Sequence, residues 1–372
     1  MTNYTDLNTS ERILLGPGPS TAHPRVLRAM AQPLVGHLDP QFLKVMDETQ
    51  ELLRFVFQTE NEMTLPISAT GSAGMEAALC NFIEPGDEVL VGVIGYFGER
   101  LCDMAARYGA NVRKLEVAWG EVIDPAQIEA ELKVKPAKIV AMVHAETSTG
   151  AWQPVEEISK IVHNYDGLFL LDCVTSLGGL PVKIDEWEID IAYSASQKCL
   201  SCPPGLAPLT INERAREVMC KRKKPTSNWY LDLCLLDSYW GEVRNYHHTA
   251  PISTIFALRE GLRLAYEEGL ETRFERHRQN AELLWAGLEA MGIELHVPIE
   301  NRLPTLTTPR IPGGVDDMSV RKRLLNEFNV EIAGGFSQLA GQVWRIGLMG
   351  YSSRRENVTL LLAALEDILN SA

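Results

Sequence analysis

GLFLLD, residues 167–172, sets four large apolar residues side by side directly before a carboxylate. Apolar residues on successive rather than alternate positions fit a strand buried on both faces, the condition of a parallel strand inside an α/β protein. Asp172 would then stand at the carboxyl end of that strand, the edge at which open α/β sheets take their ligands. Working outward, MTLPISATG (63–71), DEVLVGVIG (87–95), NVRKLEV (111–117), AKIVAMVHAE (137–146), IDIAYSAS (189–196) and GLAPLTI (205–211) read as further strands. Between them the spacing predicts helices over 73–83, over 98–109 with Gly109 as a stop, over 124–134 opened by Asp124 and Pro125, and over 154–165. Seven strands alternating with helices mean one mostly parallel sheet covered on both sides.

Beyond residue 212 the pattern turns helical, with long runs over 250–269 and 270–292. Short strand-like pieces at 293–298, 329–335 and 342–350 and a closing helix over 353–371 suggest a small α+β domain. The expected division is an N-terminal arm (1–20), a large domain (21–265) and a small C-terminal domain (266–372).

The 372-residue chain carries a formal net charge of -14 and a sequence pI of about 5.1, which repels nucleic acid and anionic membranes. The basic run Lys221-Arg222-Lys223-Lys224 ends a helical pattern before Pro225, where cations favour the negative helix terminus. Seven cysteines, an odd number with no disulfide-like spacing, suit a reducing, cytoplasmic setting. The first residues lack the basic and apolar regions of a secretory leader, and LNSA at the end is not a peroxisomal address.

Lys198 sits in AYSASQKCLSCPPG (192–205), a stretch with no other formal charge. A lysine amine can hold an aldehyde cofactor, of which pyridoxal 5'-phosphate demands an acid for its ring nitrogen, a cradle for its phosphate and a wall for its ring. Asp172 either supplies the acid or merely turns a strand end. TGSAG (70–74) either cradles an anion at a helix start, with Ser72 adding a hydroxyl, or is only a turn. Phe97 in GYFGER either walls a ring or packs in the core, and Tyr96 competes for the role. Arg345, alone in the apolar run QVWRIGLMG, either has a carboxylate inside the protein or awaits one from a ligand.

Laid out in order, LLGPGPS (14–20), GSAGMEAAL (71–79), HAETSTG (144–150), LLDCVTSLGG (170–179), SASQKCLSCPPG (194–205), YHHTAP (246–251) and WRIGLMG (344–350) cover nearly the whole chain. In these motifs it resembles the class V aminotransferases of the alanine-glyoxylate and serine-glyoxylate (serine-pyruvate) family. The resemblance implies the aspartate aminotransferase-like fold type I, a homodimer with shared active sites, and pyridoxal 5'-phosphate held by Lys198 as an internal aldimine. It further implies that Asp172 pairs with the ring nitrogen, Thr147 bonds the ring oxygen and Phe97 stacks, a position that is tryptophan in some relatives. Ser72, Ala73, Gly74 and Gln197 would serve the phosphate, joined by Tyr246 and Thr249 of the neighbouring subunit. Arg345 would clasp the substrate carboxylate, and Gly16, Gly18 and Gly36 would leave room for a small amino acid. The implied reaction is a ping-pong transamination between a small amino acid, alanine before serine, and glyoxylate.

Two further class V activities compete, a cysteine desulfurase and a 2-aminoethylphosphonate transaminase. Against the first, Gln197 precedes the lysine where such desulfurases carry histidine, and Cys199 and Cys202 read as small packing residues. A nucleotide-binding fold is prompted by GVIGYFG (92–98), but its glycines run G-x-x-G-x-x-G and leave Lys198 and Asp172 unused. The adjacent His247 and His248 read as structural, since neighbours on a strand point to opposite faces.

Overall fold

The computed structural model describes residues 4–371. In chain order, β1 (Ile13–Leu14), α1 (Pro24–Met30) and α2 (Pro40–Phe57) lead into the alternating part. This runs β2 (Met63–Ile67), α3 (Gly71–Cys80), β3 (Glu88–Val93), α4 (Tyr96–Arg107), β4 (Asn111–Glu116), α5 (Pro125–Val134) and β5 (Ile139–Val143). The short pair β6 (Ala145–Glu146) and β7 (Ala151–Trp152) precedes α6 (Ile158–His163), β8 (Leu168–Asp172), β9 (Ile191–Tyr193) and β10 (Ala207–Ile211). Helices α7 (Glu213–Cys220), α8 (Leu233–Trp240), α9 (Ile252–Glu268) and α10 (Leu270–Ala290) follow. Then come β11 (Leu306–Thr307), α11 (Asp317–Glu327), β12 (Val330–Glu331), β13 (Ala333–Gly334), β14 (Trp344–Gly347) and α12 (Arg355–Asn370).

All seven expected strands join one sheet in the order β2-β10-β9-β8-β5-β3-β4. Only β10 runs against its neighbours, so the carboxyl ends of the other six share one edge. Every residue of β5 and β8 is buried, as their unbroken apolar runs require. Register then aligns Val143, Asp172 and Tyr193 at the edge, because Val143 pairs with Asp172 and Asp172 with Tyr193.

Two apolar clusters organise the rest. One surrounds the large sheet and includes the inner faces of α2 and α9. The other gathers Leu284, Leu288, Trp344, Ile346, Leu361 and Leu365 around α10, α12 and β14. Leu15, inside the stretch expected as an arm, belongs to this second cluster, and β1 pairs in parallel with β12. No helix among the described residues is long and apolar enough to cross a membrane.

Several boundaries differ from the sequence reading. Helix α3 begins at Gly71, so TGSAG is its N-cap and first turn and not a turn ahead of it. Helix α4 begins at Tyr96, so Phe97 stands in a helix's first turn and not at a strand end. Helix α6 spans six residues, because two turn residues follow Pro154 and Val155 before it starts. His247 and His248 lie in no strand; their Nδ1 atoms are 2.8 Å apart, so the opposite-faces argument fails.

Candidate active site

A cavity of about 260 Å³ opens at the sheet edge where Asp172 stands. Ser72, Phe97, Thr147, Asp172, Gln197 and Lys198 all line it, brought together from five separate stretches of chain.

Strand β8 carries Asp172 to the floor of the cavity, fully inside the protein. Its carboxylate accepts from the Val174 N–H at 2.9 Å and from the Tyr193 hydroxyl at 2.5 Å. Burial raises its pKa to about 6, while these two bonds, Lys198 and Arg100 oppose the rise. Burial also raises the Tyr193 phenol well above its ordinary value, so it remains a donor to the acid. Lys198 follows β9 on a short loop. Burial lowers its pKa to about 8, helped by Arg345 and Arg100 and opposed by Cys199 and Asp172, which leaves a large neutral fraction near pH 8. Its Nζ donates to the carbonyl of Pro17.

The start of α3 forms one wall. Its N-cap, Thr70, makes no side-chain capping bond, so the first N–H groups of the helix are not covered by their own cap. Gly71 lets this helix approach the end of β9, since a Cβ there would lie 2.8 Å from the Ala195 Cβ. Arg100, one turn beyond Phe97, donates to the Ser72 hydroxyl at 3.3 Å and lies 4.8 Å from the Phe97 ring centroid. The start of α4 forms the facing wall. Glu146 accepts from the Phe97 N–H at 3.0 Å, and the Ser148 hydroxyl accepts from the Tyr96 N–H at 2.9 Å. Burial drives the Glu146 pKa up to about 7.

Other expected residues stand elsewhere. Gly74 faces the sheet, where a Cβ would sit 2.8 Å from the Ala207 Cβ, and Ala73 packs on the core; neither lines the cavity. Tyr246, Thr249 and Gly36 are exposed on loops. Arg345, on β14, donates through Nε to the Gly334 carbonyl at 2.8 Å and lies 5.4 Å from the Phe336 ring centroid. It forms no ion pair with a carboxylate among the described residues, although Glu146 supports its charge. The Phe336 ring meets Tyr96 edge-on at 4.4 Å, tying the β14 side to α4.

Sequence reasoning took in Thr70 and Gly71 only as part of TGSAG and passed over Arg100, Tyr193 and Glu146. Arg100 was within reach as the residue three after Phe97 on one helix face. Tyr193 was too, because parallel neighbours of similar length bring their strand ends level.

The cavity fits pyridoxal 5'-phosphate on two counts. A buried amine and a buried carboxylate face it, and an uncapped helix start with a hydroxyl and a guanidinium beside it suits a phosphate. Cys199 and Cys202 are buried free thiols whose pKa burial raises to about 12, unlike a reactive thiolate. Among the described residues no group of three or more His, Cys, Asp or Glu side chains is disposed to hold a metal.

Residues 14–361 match the family model described as aminotransferase class-V. The (S)-ureidoglycine--glyoxylate transaminase of Bacillus subtilis is 48% identical, over 99% of this chain and 93% of its own. The alanine--glyoxylate aminotransferase of Callithrix jacchus is 41% identical, over 98% of this chain and 89% of its own. A crystal structure of an alanine--glyoxylate aminotransferase from Nostoc sp. superposes with a TM-score of 0.97 at 54% identity, covering 99% of this chain and 98% of that one.

Proposed function

Because the chain belongs to the class-V aminotransferase family, enzymes that use pyridoxal 5'-phosphate, we propose that it moves the amino group of a small amino acid onto glyoxylate. L-alanine is the favoured donor and L-serine the next, giving an oxo acid and glycine. The observation that carries this reading is the single cavity that unites a buried amine, a buried acid and an open helix start. The glyoxylate in the names of all three relatives supports the acceptor.

When bound, the cofactor supplies an aldehyde that joins to amines and a ring that draws electrons from the carbon losing its proton. Lys198 would hold that aldehyde and, once freed as a neutral amine at Nζ, take the α-proton of the donor and return it to the cofactor side. Asp172, kept in place by Tyr193 and Val174, would hold a proton on the ring nitrogen. Thr147 would bond the ring oxygen and Phe97 would cover the ring. Ser72, the first turn of α3, Gln197 and Arg100 would hold the phosphate, with Ala73 and Gly74 shaping that turn from behind. Tyr246 and Thr249, exposed here, would reach the phosphate of a second copy in a homodimer, and Gly16 and Gly36 would leave room for a small amino acid. Arg345, lacking an internal carboxylate, would bind the donor's carboxylate in a bidentate way. Seven free cysteines support a cytoplasmic setting.

A second donor, ureidoglycine, is favoured by the 48% identity to the Bacillus subtilis enzyme. The test is a half-reaction panel on the loaded enzyme, following the visible absorbance as L-alanine, L-serine, ureidoglycine or 2-aminoethylphosphonate is added. Fastest loss of the band with alanine is expected. Fastest loss with ureidoglycine moves the donor, and conversion by the phosphonate alone overturns the reading.

A further inference from the structure

The GPGP turn, residues 16–19, meets the lysine itself. A Cβ added at Gly18 would lie 2.5 Å from Lys198 Nζ, 2.7 Å from Cδ and 2.9 Å from Cε, all closer than real contacts allow. Gly16, two residues earlier, meets nothing nearer than the Ala333 nitrogen at 4.0 Å, so the close approach is specific to Gly18. The Pro17 carbonyl between them accepts from Nζ.

The turn is also anchored from both sides. Toward the lysine, the Ser20 N–H donates to the Gln197 carbonyl at 2.8 Å, and the Ser20 hydroxyl donates to the Lys198 carbonyl at 2.7 Å. Toward the C-terminal cluster, the Leu15 carbonyl accepts from the Gly347 N–H at 2.7 Å, and the Leu15 N–H donates to the Glu331 backbone carbonyl at 2.8 Å. A buried primary amine without an acceptor is costly, and the carbonyl offsets part of that cost in either protonation state, since both forms keep an N–H to donate.

We propose that the Pro17 carbonyl and the bare face of Gly18 form a resting niche for the Lys198 amine whenever it is not bonded to the cofactor. Gly18 is then a positioning residue for the lysine and not a wall of the substrate pocket. The proposal rests on Lys198 being the lysine that carries the cofactor.

Four cofactor-free proteins test it: the native chain, Gly18→Ala, Lys198→Ala and the double variant, each followed by thermal unfolding. Alanine at 18 carries two costs, a backbone φ of +110° that disfavours any side chain, and the displacement of the flexible lysine end from its bond to the Pro17 carbonyl. The first is common to both lysine backgrounds, and the second vanishes with Lys198→Ala. Gly18→Ala is therefore expected to lower the midpoint by at least about 2 °C more when Lys198 is present. Equal depressions in the two backgrounds overturn the niche. Folding of the double variant where Gly18→Ala alone fails supports it. If neither folds, Ser20→Ala serves, since it loosens the turn by removing the hydroxyl bond to the Lys198 carbonyl, leaving the backbone bond to Gln197 and φ untouched. Labelling of Lys198 by an acylating reagent, located by peptide mapping, should then quicken several-fold, and an unchanged rate overturns the niche. Whether Lys198 carries the cofactor is read separately, from loss of the visible band in Lys198→Ala, so the two failures are distinguishable.

Discussion

Helices α3 and α4 both begin with a glycine-containing turn at the carboxyl edge of the preceding strand, and both point their positive ends at the same cavity. Their fates are opposite. The start of α4 is closed from below: a Cβ at Gly95 would lie 2.5 Å from the Glu146 Cγ and the Ser148 Oγ, so the glycine exists to let those caps approach. The start of α3 has no such cap, and its glycine instead lets the helix press against the end of β9. One helix start is spent on internal order, while the other keeps its first N–H groups uncapped, as the proposed phosphate site requires. The same local grammar acquires its meaning from whether a buried acid of another strand end lies beneath it.

The sharpest way to break this contrast is to give α3 the charge that α4 already has. Ser72→Asp should weaken cofactor binding on the order of a thousandfold, about 4 kcal/mol, by setting a carboxylate where the phosphate would sit. The melting temperature of the cofactor-free protein should hold or rise, because an acid in the first turn suits the helix dipole. Fluorescence titration reads the first and calorimetry the second; unchanged affinity would move the anion away from α3.

Next in size is the pH signature of the closed helix. The Glu146 carboxyl, raised by burial from 4.5 to about 7, binds a proton more readily folded than unfolded between those values. Stability is therefore present below about pH 4.5 and falls as pH climbs toward 7, by roughly 3 kcal/mol for this group. Asp172, raised from 3.8 to about 6, contributes a smaller fall of the same sign. Glu146→Gln should remove the larger part, seen as converging urea midpoints at pH 5 and pH 8. A slope identical to that of the native protein would assign the effect to another acid.

The smallest effect comes from Ser148→Ala, which takes away the acceptor of the Tyr96 N–H. About 1 kcal/mol of stability should be lost, as for other helix caps, with cofactor affinity unchanged. A matching loss of affinity would mean that the two helix starts are coupled.

The sheet was legible because its signal is local: short unbroken apolar runs such as those ending at Val143 and Leu171, bounded by turn residues and too short for buried helices, fit two-faced strands. Lys198 and Asp172 were legible for a related reason, as lone charges beside apolar stretches. Glu146 was not, although it stands inside a quoted motif, because its role exists only where β6 passes under the start of α4, some 50 residues away in the chain. Phe97 was found but set at a strand end, since nothing in GYFGER announces that Glu146 and Ser148 permit the helix to start at Tyr96. Gly18 was read as space for a substrate, and only the folded chain brings it against a lysine 180 residues later. The C-terminal pieces were blurred because the strands there are two to four residues long, too short to show a period.

The pairing of β1 with β12, and of Leu15 with Gly347, also sets a timetable for biosynthesis. Residues near the beginning of the polypeptide must wait, unpartnered, until the ribosome has delivered a stretch more than 300 positions downstream. At roughly 5–20 residues per second that delay is tens of seconds. During this time the sheet can already have formed, yet the Ser20 bonds alone hold Pro17 and Gly18 near Lys198, without the anchor on the C-terminal side. A nascent chain would thus complete its scaffold first and its chemistry last.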